Sequence, residues 1–158
     1  MGEQRYFMAV MSYAAVVQSF LPRQPEKGVV MEEAVAYGKQ PLALNIRQGL
    51  SFSEFASLLS LFQIPEEDLG RLVGMSPATL ARRKKSQSLT SAESERVVRF
   101  ARLFGLAYEV FETEEGARDW LKTENPGTAG EAPLSWADTE YGAREVENLL
   151  GRIDHGIF

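Results

Sequence analysis

The run from Leu69 to Lys84 constrains this chain more than any other segment, because it stops one helix and starts another within a few residues. Leu69, Leu72 and Val73 share one helical face, and Gly74 supplies the stop. Ser76 then offers a capping hydroxyl, and Pro77 sits at the first helical position, where a missing N–H costs nothing. Helix, glycine turn, helix is the pattern of a helix-turn-helix, whose second helix presents its outer face to a DNA major groove.

The sequence around this unit predicts an all-α fold. From about Leu42 onward the apolar spacing is helical, with no sustained strand alternation and no internal repeat. Ser51 and Glu54 have the spacing of a capping box ahead of Phe55, Leu58, Leu59 and Phe62. Pro65 suits the first turn of the next, short helix. Thr90 and Glu93 form a second capping box, opening a long helix striped by Val97, Ala101, Phe104, Tyr108 and Phe111. Thr113 caps a helix carrying Ala117, Trp120 and Leu121, ended by the Asn125-Pro126-Gly127 turn. Pro133 to Asp138 reads as a short helical turn. Thr139 caps a last helix with Val146, Leu149, Leu150 and Ile153 on its apolar face and Gly156 at its end. The chain thus divides into residues 1–40, whose role stays open, a helix-turn-helix region over 41–108, and a helical tail over 109–158.

Charge is distributed unevenly. The net charge is -5, yet between Asp68 and Glu93 stand Arg71, Arg82, Arg83, Lys84 and Lys85 with no acidic residue among them. From Glu109 to Phe158 there are twelve acidic and four basic residues. One part suits an anion and the other repels it. Taking Met75 and Leu80 as inward, the second helix of the motif turns Ala78, Arg82 and Lys85 outward, with Thr79 and Ser86 beside them. Arg82 has the geometry to pair with a guanine edge, Thr79 to touch a thymine methyl or a phosphate, and Lys85 to neutralise phosphate. Arg83 and Lys84 lie nearer the core side and suit either a contact to DNA or an ion pair with Glu67, Asp68 or Glu93. The candidate DNA-binding set is Ser76, Thr79, Arg82, Arg83, Lys85 and Ser86.

Several function classes are excluded or disfavoured. The chain has no cysteine and one histidine, His155, so thiol chemistry is out and a nucleophile–base pair or zinc site lacks members. There is no glycine-rich phosphate loop, nucleophile elbow or metalloprotease helix. Glu66-Glu67 and Glu114-Glu115 sit at helix starts, where the dipole favours carboxylates. The reading is a non-enzyme without metal or cofactor. The apolar stretch from Tyr6 to Leu21 is interrupted by Ser12 and Gln18 and falls short of the roughly 20 residues of a membrane span; its poor signal-peptide features favour a cytoplasmic protein.

From about Ile46 to the C-terminus the chain resembles the Xre/MbcA/ParS family of bacterial antitoxins. The resemblance is carried, in order, by Gly74-Met75-Ser76-Pro77-Ala78-Thr79-Leu80-Ala81-Arg82-Arg83-Lys84, Glu93-Ser94-Glu95-Arg96, Ala117-x-x-Trp120-Leu121, Asn125-Pro126, Pro133-Leu134, Thr139-x-x-Gly142 and Ile153-x-His155-Gly156. It implies a type II toxin–antitoxin module: a dimeric antitoxin that represses its operon through operator DNA. Its C-terminal region would cover the active-site cleft of a RES-type toxin, which degrades NAD⁺. An electropositive cleft would match the acidic tail, which makes Glu145, Glu147 and Asp154 candidate docking charges. Candidate apolar anchors are Trp120, Trp136, Ile157 and Phe158, with core packing the other reading for the tryptophans. The His155-Gly156-Ile157-Phe158 end, following Ile153, either lies against the toxin or packs on the chain itself.

Overall fold

The structure, a computed structural model, describes residues 42–157. The Tyr6–Leu21 stretch, the Pro22–Gly28 turn and Phe158 lie outside the described residues. Eight α-helices follow one another among the described residues: α1 (Leu42–Gln48), α2 (Phe52–Phe62), α3 (Glu66–Leu72), α4 (Pro77–Ser86), α5 (Ser91–Phe111), α6 (Glu114–Lys122), α7 (Pro133–Trp136) and α8 (Glu140–Asp154), with a single 3-10 turn over Pro126–Thr128 between α6 and α7. No strand forms among them, only an isolated bridge between Ser51 and Ser88. The all-α expectation holds.

Local chemistry sets most of the helix starts. The hydroxyls of Ser76, Thr113 and Thr139 accept the backbone N–H three residues on, satisfying donors that a helix leaves unpaired at its start. Thr90 and Glu93 form the full reciprocal box. The Ser51–Glu54 box does not form: Ser51 accepts from the Ser53 N–H, while Glu54 turns inward. Glu54 falls on the same helical face as Leu58 and Leu61, which are buried, so its side chain is carried into the interior. Pro65 is the residue before α3 rather than its first residue; its carbonyl accepts from Asp68 and Leu69.

The long helix α5 organises the core. Phe100 and Phe104 meet Phe62 of α2 edge to face, with centroids 6.5 and 5.5 Å away, and all three rings are fully buried. Each such burial contributes roughly 2 to 3 kcal/mol. Ala117 and Leu121 of α6 and Ala143, Val146 and Leu150 of α8 join the same cluster. The division drawn at residue 108 falls inside α5, which continues to Phe111 and stops at Glu112 in a left-handed turn. Both parts of the chain therefore share one hydrophobic core.

Among the described residues, Glu54 is a carboxyl buried beside this core at an energetic cost. Its Oε2 is buried without a hydrogen-bond partner, and burial pushes its carboxyl up to about 7 from 4.5. Between those values the folded chain holds a proton that the unfolded chain has released, so stability falls as pH rises from about 4.5 to 7 and levels off above. Glu54→Met is expected to raise stability at pH 8 by about 2 kcal/mol and to give no such gain at pH 4, read from urea midpoints at the two pH values. An equal gain at both would remove the carboxylate as its cause.

Candidate functional site

The helix-turn-helix is built from α3, a tight turn and α4. Gly74 takes φ +83, a conformation that strains any side chain, and the Met75 N–H reaches back to the Gly70 carbonyl at 2.7 Å. A Cβ at Gly74 would lie 2.7 Å from Arg96 Nη1, which donates to the Val73 carbonyl. The long helix thus grips the turn through Arg96, which the sequence offered only as part of the Glu93-Ser94-Glu95-Arg96 segment and without a role. Gly70 lets α3 close on Leu80, whose side chain a Cβ there would meet at 3.2 Å.

Along α4, the cations separate into two kinds. Arg71, just before it, pairs with Asp68, and Lys84 pairs with Glu66 rather than Glu67 or Asp68. Arg83 Nε donates to both Glu93 oxygens at 2.8 and 3.1 Å, its side chain only 19% exposed. Burial alone would raise the Glu93 carboxyl, but the Thr90 N–H and the Arg83 guanidinium outweigh it and hold it below the usual range. Arg83 is therefore committed to locking α4 onto the first turn of α5. Arg82 and Lys85 are exposed and have no carboxylate partner among the described residues. Ala78 is exposed and Thr79 half-exposed beside them, so the outward face is the expected one. Ser76 is occupied as a cap and also donates to Thr79 Oγ1, while Ser86 donates to the carbonyls of Arg83 and Ser88.

In the tail, several residues expected at a partner surface are engaged inside the fold. Trp120 is half-buried with its ring 5.7 Å from that of Phe111. Trp136 Nε1 donates to Glu145 at 2.7 Å, and Glu147 accepts from Arg102 Nε at 2.6 Å. Glu140 meets Arg99, Arg102 and Arg144 at 3.2 to 3.6 Å. Burial would raise its carboxyl, but Arg102, then Arg99 and Arg144, bring it below the usual range. Arg99 Nη1 also donates to the Asp138 carbonyl. Arg96, Arg99 and Arg102 recur every three residues along α5, a spacing visible in the sequence, but their partners lie 23 to 45 residues away. Ile153 is half-buried. Asp154, His155, Gly156 and Ile157 are exposed, Ile157 to 61%, with His155 Nδ1 2.7 Å from the Gly151 carbonyl. No group of acidic or histidine side chains able to hold a metal ion occurs among the described residues, and no helix there is long and apolar enough to cross a membrane.

Comparison with known proteins matches this layout to two family descriptions. The antitoxin Xre-like helix-turn-helix domain covers residues 41–102, and the antitoxin Xre/MbcA/ParS C-terminal toxin-binding domain covers residues 106–156. The chain is 34% identical over 116 residues to an antitoxin Xre of Yersinia enterocolitica, spanning 72% of this chain and 78% of that protein. It is 37% identical over 92 residues to an antitoxin Xre of Photorhabdus laumondii, spanning 57% and 62% of the two chains. A third antitoxin Xre, from Pseudomonas putida, is 32% identical over 76 residues, 48% of each chain. With an Xre-like helix-turn-helix followed by the family's C-terminal toxin-binding domain, and 34% identity to an antitoxin Xre over most of both chains, the chain belongs to the Xre/MbcA/ParS family of type II antitoxins.

Proposed function

We propose that this chain acts in the cytoplasm by binding, not catalysis. It neutralises a co-encoded RES-type toxin that degrades NAD⁺, its C-terminal region covering the toxin's active-site cleft, and as a homodimer it represses the shared operon through α4. The observation that carries this reading is that one rigid core presents two separate exposed faces. One is the outward side of α4, with Arg82 and Lys85 uncompensated; the other is the end of the tail, where Ile157 is exposed beyond the last helix. An exposed pair of cations on a recognition helix suits phosphate and base edges, and an exposed aliphatic group at a helix end suits a partner's pocket.

Co-expression with the adjacent open reading frame tests the toxin assignment. Host growth and cellular NAD⁺ are expected to collapse when the neighbour is expressed alone and to recover when this chain is supplied. A harmless neighbour, or growth arrest with NAD⁺ unchanged, would remove the RES-type toxin from the account.

A further inference from the structure

The acidic excess of the tail is not what α8 shows to the outside. Glu140 and Glu147, seven residues apart, share the flank that faces Arg99 and Arg102 of α5. Glu145 is turned onto Trp136. The face left outward carries Tyr141, Arg144, Asn148, Arg152 and His155, spaced at helical intervals and all exposed. Arg152 has no carboxylate partner among the described residues, and Arg144 has only a 3.6 Å contact to Glu140, itself shared with two other arginines. Tyr141 is 74% exposed. Elsewhere in residues 106–156 the fully exposed side chains are small, polar or charged, so Tyr141 is the one large hydrophobic side chain fully exposed in that range, with Ile157 just beyond it.

We infer that the outward face of α8, formed by Tyr141, Arg144, Asn148 and Arg152, contacts the toxin together with the Ile157 end, and that its complement on the toxin is a patch of carboxylates beside a pocket for the tyrosine ring. This rests on the proposed toxin partnership and reverses the charge match suggested by the acidic sequence of the tail. Tyrosine and arginine are the residue types that concentrate binding energy at protein interfaces, and cations on the rim raise the rate of encounter with an acidic patch. Two acidic residues of the tail serve another purpose: Glu140 and Glu147 pair with Arg99 and Arg102 and so tie α8 to α5.

The test is binding of the full chain to the purified product of the adjacent reading frame, by calorimetry at two salt concentrations. Tyr141→Ala is expected to weaken binding by about 30-fold or more, a hot-spot loss, and Tyr141→Phe to retain most of the affinity. The double variant Arg144→Glu/Arg152→Glu is expected to weaken binding by at least about tenfold and to abolish the loss of affinity with added salt. Because these side chains are exposed, thermal midpoints should stay at the unaltered value. Affinities within twofold of the unaltered chain would overturn the inference. So would variants that bind toxin normally but change the chain's own oligomeric state in sedimentation, since the face would then join two copies. Failure of the unaltered chain to bind would instead count against the toxin partnership itself.

Discussion

Replacing Gly142 by alanine is expected to lower stability by about 3 kcal/mol and to abolish toxin neutralisation, although the change adds one methyl group to a helix. A Cβ at Gly142 would fall 1.9 Å from the Trp136 carbonyl oxygen and 3.0 Å from its carbon. That neighbour is backbone, so no side-chain rotation relieves the contact, and overpacking against a fixed group costs a few kcal/mol. Gly142 also donates its N–H to the capping Thr139 hydroxyl. Relieving the clash shifts the first turn of α8, where Glu140 meets Arg99 and Arg102 and where Tyr141 projects outward. Gly151 provides the control, since nothing lies within 4 Å of a Cβ built there. Gly151→Ala is expected to stabilise the chain by about 0.5 to 1 kcal/mol through helix propensity. Urea midpoints measured for both would settle the cause: similar losses at the two positions would mean that a general effect of the substitution, and not the Trp136 carbonyl, is responsible.

The same residue shows what sequence reading reaches and where it stops. Thr139-x-x-Gly142 was legible as a cap and as part of a family pattern, because a hydroxyl bonding an N–H three residues on is local chemistry. Why glycine stands there was not legible, since the Trp136 carbonyl reaches it only once α7 and α8 pack. Ser76, Thr90 and Thr113 were readable for the same local reason. Ser51 and Glu54 had the spacing of a box, but Glu54 also lay on the apolar face with Leu58 and Leu61, and burial prevailed over the cap. Charge was the least transferable signal. Counting acids over 109–158 gives no hint that Glu140 and Glu147 are matched by arginines 38 to 45 residues earlier in the chain. Such pairings depend on the tertiary fold and leave no local mark.

In the proposed repressor, Arg82→Gln/Lys85→Gln is expected to weaken operator binding by about a thousandfold at moderate salt while leaving the thermal midpoint unchanged. Both side chains are exposed and lack carboxylate partners among the described residues, so removing them costs the fold little. On DNA they contribute a base-edge contact and phosphate neutralisation in each half-site. A dimer making about eight phosphate contacts would show a log–log salt slope near -7; losing the Lys85 contact in each half-site, two of the eight, would reduce it to about -5.4. Arg83→Gln should behave in the opposite way. Its guanidinium is held by Glu93 at the cap of α5, so its loss is expected to cost about 1 to 2 kcal/mol of stability and leave the slope near its original value. Removing Arg83 also removes part of what holds the Glu93 carboxyl low. Stability that depends on that ionised carboxylate is present above about pH 4.5 and lost as pH falls through its depressed folded value, so this cost should shrink in acid. The pair of variants therefore separates two roles within one basic run. If Arg83→Gln instead made the salt slope shallower with the thermal midpoint unmoved, the ion pair with Glu93 would have to open on DNA, and Arg83 would join Arg82 and Lys85 as a contact residue.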